Sequence, residues 1–125
     1  MEHQELTHQI IGISMKIHST LGNGFQEVIY QRCLEIEFNR SKIHFVREFE
    51  MPVMYGEIQV GTRRVDFLVD DKVMVEIKAV KALEDVHLAQ AKNYLEAYKL
   101  NSGLLINFGA LSLEFKRLFR KQNQD

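Results

Sequence analysis

"RRVDFLVDDKVMVEIKA" occupies residues 63–79, and its register decides the fold. Two apolar runs, Val65 to Val69 and Val73 to Ile77, flank Asp70, Asp71 and Lys72, the pattern of two strands joined by a tight turn. Directly opposed residues of an antiparallel hairpin share a face, so the length of the turn decides which side chains meet. A two-residue turn at Asp70 and Asp71 sets Asp66 against Val75, Val65 against Glu76 and Arg64 against Ile77, mixing polar with apolar on each rung. A three-residue loop, Asp70 to Lys72, instead pairs Val69 with Val73, Phe67 with Val75 and Val65 with Ile77. The other side then holds Asp66 opposite Glu76 and Arg64 opposite Lys78, with Cβ atoms of opposed pairs about 4.5–5.5 Å apart. Burying the apolar side therefore gathers two carboxylates and an ammonium.

Two carboxylates that close repel each other unless a proton or a cation lies between them. A hard divalent ion such as Mg²⁺ suits the pair, because it prefers oxygen ligands, accepts one or two carboxylates and keeps several waters. Lys78 beside them can position an attacking water or offset charge on a pentavalent phosphorus. The cluster reads as metal-assisted phosphodiester hydrolysis, with Asp66 and Glu76 as ligands and the Ile77 carbonyl, between the two motif residues, as a further one. An acid two places before a lysine occurs three times (Asp70/Lys72, Glu76/Lys78, Glu114/Lys116), so the spacing alone carries little weight. Only Glu76 and Lys78 have an acid at the opposing register. The competing reading is a solvated polar face on a half-exposed hairpin.

The whole chain narrows the classes. Its 125 residues, 46% hydrophobic and 26% charged, suit one core, hence a single domain over residues 1–125 with 119–125 as a polar tail. Sixteen basic against seventeen acidic residues give a net charge of −1, so any basic surface for nucleic acid must be local. Cys33 is the sole cysteine; it cannot form an intramolecular disulfide and fits a core thiol in a reducing compartment. No charged-then-apolar leader opens the sequence, and the longest apolar run, around Gly103 to Leu111, falls far short of the ~20 residues a membrane span needs. These features suggest a cytoplasmic protein with no membrane partner. The histidines show no zinc spacing.

Outward from the hairpin, Leu6, Ile10, Ile13, Ile17 and Leu21 recur at spacings of three and four and predict a first helix, ended by Gly22-Asn23-Gly24. Asn23, with Gln26 as capping-box partner, predicts a second helix from about Gly24 to Arg40. Phe45, Phe49, Met51, Val53 and Tyr55 predict a strand, which Pro52 makes an edge or bulged one. A short strand lies between Gly56 and Gly61. After the hairpin come a helix from about Asp85 to Lys99, the strand GLLINF (103–108), and a last strand in LSLEFKRLF (111–119).

LGNGFQEVIYQRCLEIEF (21–38), with Gly24, Glu27 and Tyr30 at the named positions, resembles the signature of the GxxExxY family, as do LLINFG and LEFKR. The likeness runs from the first helix to about Arg117. That family is grouped with the PD-(D/E)XK nuclease superfamily, and the resemblance implies an α/β fold with a restriction-endonuclease-like αβββαβ core, here a mixed central sheet flanked by helices plus an extra N-terminal helix. It implies that Asp66, Glu76 and Lys78 are the catalytic D…(D/E)-x-K set, that Glu27 is the helix-borne acid completing the metal site, and that Gln90 and Tyr94 form the Q-x-x-x-Y pair of the exonuclease-like branch. No proline precedes Asp66, a modest departure.

The residues agree in part. Glu27 and Tyr30 share a helix face, and Gln90 and Tyr94 at i, i+4 can meet one ligand or form a boundary hydrogen bond. Gln90, Tyr94, Tyr30 and Arg64 are assigned to substrate contact. His87, at the start of the same helix, is an ordinary exposed histidine or a substrate contact. The expectation is a nuclease acting on DNA in preference to RNA with Mg²⁺ or Mn²⁺. The alternative is a non-catalytic nucleic-acid- or protein-binding module of the same fold, or one completed by a homodimer or protein partner that supplies basic surface.

Overall fold

The computed structural model describes residues 3–120. Its elements are α1 (Gln4–Leu21), α2 (Glu27–Arg40), β1 (Phe45–Tyr55), β2 (Ile58–Val69), β3 (Val73–Lys78), α3 (Asp85–Ala97), β4 (Ser102–Asn107) and β5 (Glu114–Phe119). The strands form one sheet in the order β1-β2-β3-β4-β5, antiparallel throughout except for the parallel β3/β4 pair that α3 connects. This is the expected mixed α/β sheet, with α1 as the extra helix and β5 added after the αβββαβ core. Residues 121–125 of the expected polar tail lie outside the described residues, whereas Phe119 itself closes β5.

Helices cover both faces. Ile10, Ile11 and Ile17 of α1 and Tyr30, Leu34 and Phe38 of α2 bury against Val73, Val75 and Ile77 of β3 and Leu104 and Ile106 of β4. On the opposite face Ala91 and Leu95 of α3 pack with Met74, Leu105 and Leu118. Buried on both faces, β3 and β4 are nearly continuous apolar runs, as a parallel pair requires. Glu76 is the one charged residue among the fully buried positions of β3.

The hairpin closes through residues 70–72, with Asp70 and Asp71 at φ 52 and 56, a left-handed conformation that Asp tolerates better than most side chains. Rungs Val69/Val73 and Phe67/Val75 form as the apolar pattern requires. The ladder then stops. The expected rungs Val65/Ile77, Asp66/Glu76 and Arg64/Lys78 are absent from it, because the Asp66 carboxylate accepts the Ile77 N–H at 2.7 Å and stands where a strand partner would be.

The break also runs into β1. Phe45, Phe67 and Val69 pack on the α1/α2 side, yet Phe49, Met51 and Val65 pack on the α3 side, although strict alternation would keep 45 with 49 and 65 with 67. The switch falls between the pairs Arg47/Phe67 and Phe49/Val65, at Glu48 and Asp66, and Glu48 takes φ 57 there. Past this point β1 and β2 continue as a two-stranded arm. Gly61 lies inside that arm, paired with Val53, so the expected short strand is the first half of a 12-residue one. β1 is an edge strand, as Pro52 predicts, and the register slips just beyond, between Val53 and Met54.

Two loops differ from expectation for identifiable reasons. α2 begins at Glu27, and Gln26 before it makes no side-chain cap. Asn23, the expected cap, donates instead to the Gly109 carbonyl at 3.3 Å. Beyond β4, buried Asn107 spends its amide fully: its Oδ1 accepts the Val80 and Gly109 N–H groups, and its Nδ2 donates to the Val80 carbonyl and to Glu114. Glu114 also accepts the Leu83 N–H at 3.0 Å, so the chain leaving Lys78 is pinned along its first turn. Gly109 allows this, since a Cβ there would lie 2.4 Å from the Val80 carbonyl oxygen. Backbone cannot yield as a side-chain tip can, so we expect Gly109→Ala to cost about 2–3 kcal/mol of stability in urea unfolding; an unchanged midpoint would contradict this packing.

Candidate active site

The fork between β2 and β3 is where the acids meet. Asp66 sits at its mouth, one oxygen on the Ile77 N–H and the other accepting the Gln31 side-chain amide at 3.2 Å. Gln31 is itself held by Arg47 at 3.1 Å, so β1, α2 and β3 fix the carboxylate from three sides. Glu76, 3% exposed, comes from β3 and contacts Asp66. Burial first, and then the negative charge of Asp66, push the Glu76 carboxyl up to about 8. Asp66 is raised by burial, opposed by the Ile77 hydrogen bond and by contact with Glu76. Glu27, at the first residue of α2, is raised by burial and by Asp66, and lowered by Lys78 and Arg63. Lys78 lowers Asp66 and Glu76 as well, so its charge reaches all three acids.

Asp66, Glu76, Lys78 and Glu27 are thus brought together. So are Gln90 and Tyr94 of α3, which line a narrow cleft with Glu76, Lys78, Arg63 and His87. His87 is half-buried in that cleft, and its Nδ1 accepts the Glu84 N–H in a capping box.

Two expected substrate contacts are elsewhere. Tyr30 is fully buried, stacked on Phe108 with ring centroids 4.6 Å apart; its hydroxyl donates to the Gly22 carbonyl at 2.6 Å and accepts the Phe25 N–H at 3.1 Å. Both roles of the hydroxyl are used in clamping the loop before α2, and none is left for a ligand. Arg64 is exposed and pairs loosely with Glu48 at 3.8 Å. The face switch at Asp66 turns Arg64 away and swings Arg63 toward α3. Arg63 reaches Glu76 at 3.8 Å and lies over the Tyr94 ring, 4.6 Å from its centroid. Period-2 reading placed Arg64 rather than Arg63 beside the acids because the break is invisible to it. Gln31 was legible in principle, one helical turn from Glu27 on the same face; Asn107 and Gly109 lie in the LLINFG stretch.

Among the described residues no three His, Cys, Asp or Glu side chains form a closed metal cage, so Glu27 stands beside the Asp66/Glu76 pair without completing it. Ionised, both carboxylates are acceptors only, and buried Glu76 Oε1 has no hydrogen-bond donor. An orphaned carboxylate oxygen on one of two contacting acids suits a cation that takes two carboxylates and fills its remaining positions with water and phosphate. At Ile77 it is the N–H whose partner is defined, the Asp66 carboxylate.

Residues 4–118 match the family model of the PD-(D/E)XK nuclease superfamily. The chain belongs to that superfamily. The fold is shared with the crystal structure of SSO0001, at a TM-score of 0.58 and 16% identity over 76% of this chain and 50% of that one, so the chain spans half the length of that structure. No curated protein matches. Membership carries a nuclease-like fold, and PD-(D/E)XK nucleases in general use divalent metals. None of the described helices is long and apolar enough to cross a membrane.

These three acids make stability pH-dependent. Glu76, Asp66 and Glu27 are all raised, so the folded state binds their protons more tightly than the unfolded chain does. Their contribution is full below the ordinary carboxylate range and is lost as pH rises through about 8, where Glu76 ionises. Without divalent ions we expect Tm to fall between about pH 5 and pH 9, and Glu76→Gln to flatten that fall. A wild-type profile level across this window would mean that Glu76 ionises without penalty.

Proposed function

We propose that the chain is a single nuclease-like domain that hydrolyses phosphodiester bonds of DNA, in preference to RNA, with Mg²⁺ or Mn²⁺, in the cytoplasm. The observation that carries this reading is buried Glu76, with an orphaned oxygen, in contact with half-buried Asp66 and with Lys78 beside them. Asp66 and Glu76 would hold the cation, with the Ile77 carbonyl and Glu27 as further candidates; when bound, such an ion polarises the phosphate and acidifies water. Lys78 offsets the negative charge that builds up on the phosphoryl oxygens in the transition state. Glu27, raised by burial and by Asp66, is able to carry a proton at the edge of the cluster. Gln90 and Tyr94 hold the nucleic-acid backbone along α3. The GxxExxY assignment rests on Gly24, Glu27 and Tyr30, and the clamp that Tyr30 forms over the Gly22–Phe25 loop gives that spacing a physical purpose.

One feature favours a second reading, a binding module without catalysis. The net charge of −1 gives a lone copy weak hold on a phosphate backbone, so a homodimer or protein partner would add the basic surface.

Purified protein incubated with single- and double-stranded DNA is expected to cleave one of them with Mg²⁺ and to stop with chelator. Lys78→Ala should lower the rate by about 100-fold or more. Equal cleavage by the variant would assign the activity to a contaminant, and wild-type binding without cleavage would favour the module.

A further inference from the structure

Arg63 is in an unfinished state. Its Nη2 lies 3.8 Å from Glu76 Oε2, too long for a hydrogen bond, and its Nε is buried without a partner. Glu76 Oε1 is equally unpartnered. A charge pair buried on its Glu76 side and one-third exposed on its Arg63 side gains Coulomb attraction but leaves buried hydrogen-bonding atoms unmet, so either group would be better satisfied elsewhere. The guanidinium keeps a second foothold, the Tyr94 face on α3, which does not depend on Glu76. The cleft around it holds Lys78, Gln90, His87 and Tyr94, with Glu76 as its one acid.

We propose that Arg63 is a displaceable internal cation: it pairs with the ionised Glu76 carboxylate in the metal-free protein, yields that carboxylate to a divalent ion, and then binds the substrate phosphate from its seat on Tyr94. The inference rests on the metal-dependent reading of the site and adds a residue and an order of events to it. Once Glu76 is claimed by the ion, the cleft presents donors, the composition a phosphodiester needs. It also gives a chain with a net charge of −1 its local positive charge at the place of reaction. Arg63 and a divalent ion then compete for Glu76, while Arg63 and the ion act together on substrate. A divalent ion gains twice what a proton gains from removal of the arginine charge, so the competition outweighs the tighter hold on a proton that the same removal brings.

Calorimetric titration of wild type, Arg63→Gln and Arg63→Lys with Mn²⁺ at about pH 8.5 tests this. Arg63→Gln is expected to bind Mn²⁺ about tenfold tighter, Arg63→Lys close to wild type, and Arg63→Gln to lose about tenfold in affinity for a single-stranded oligonucleotide in Ca²⁺. Equal or weaker Mn²⁺ binding by Arg63→Gln than by wild type overturns the inference and leaves the metal site standing. Mn²⁺ binding by neither overturns both. Should Arg63→Gln fail to fold, the Arg63 Nε–H resonance of wild type decides: a shift on Mg²⁺ addition supports displacement, and an unmoved signal overturns it.

Discussion

A hydrogen bond from the Ile77 N–H to the Asp66 carboxylate ends the β2/β3 ladder and holds the fork between those strands open. A continuous ladder would pair Asp66 and Glu76 as cross-strand neighbours on the α3 face and leave Glu27 of α2 on the far side of the sheet. With the fork open, Asp66 accepts a bond from Gln31 of α2 while contacting Glu76 of β3, so acids from α2, β2 and β3 reach one point. The site exists because a side chain replaces a main-chain partner.

That same break separates what the sequence made legible from what it did not. The apolar residues of 65–77 select a three-residue loop over a two-residue one, and the rungs nearest the turn form as selected. Helical periodicity located α1 and α3, and Pro52 marked the edge strand, because burial and a missing N–H act locally. The face switch has no such signal: Glu48 is an ordinary polar residue in an alternating run, and its positive φ answers to tertiary context. Arg63 and Arg64 were exchanged for that reason alone. The cap at Asn23 failed because its amide is claimed by Gly109, 86 residues away in the chain. Tyr30 was placed on the correct helix face, but full burial beneath Phe25 and against Phe108 makes it a clamp.

Around the fork the rigid parts and the unsatisfied parts are cleanly divided. Asn107, Glu114 and Gly109 complete their hydrogen bonds or close contacts and fix the segment that follows Lys78. Asp66 has donors on both oxygens. Glu76 and Arg63 do not complete theirs. A pre-organised scaffold with its deficit confined to two opposite charges is what a site needs if a ligand, rather than the protein, is to supply the last interactions. Membership of the PD-(D/E)XK superfamily gives that deficit a chemical context.

Crystals soaked in Mn²⁺ test the central claim most directly, through the anomalous difference map. The account predicts a peak between the carboxylates of residues 66 and 76, with an oxygen of each in the coordination shell at about 2–2.5 Å. An ordered, fully exchanged crystal with no peak there, or with the two carboxylates still sharing a proton at alkaline pH beside metal bound elsewhere, would contradict it.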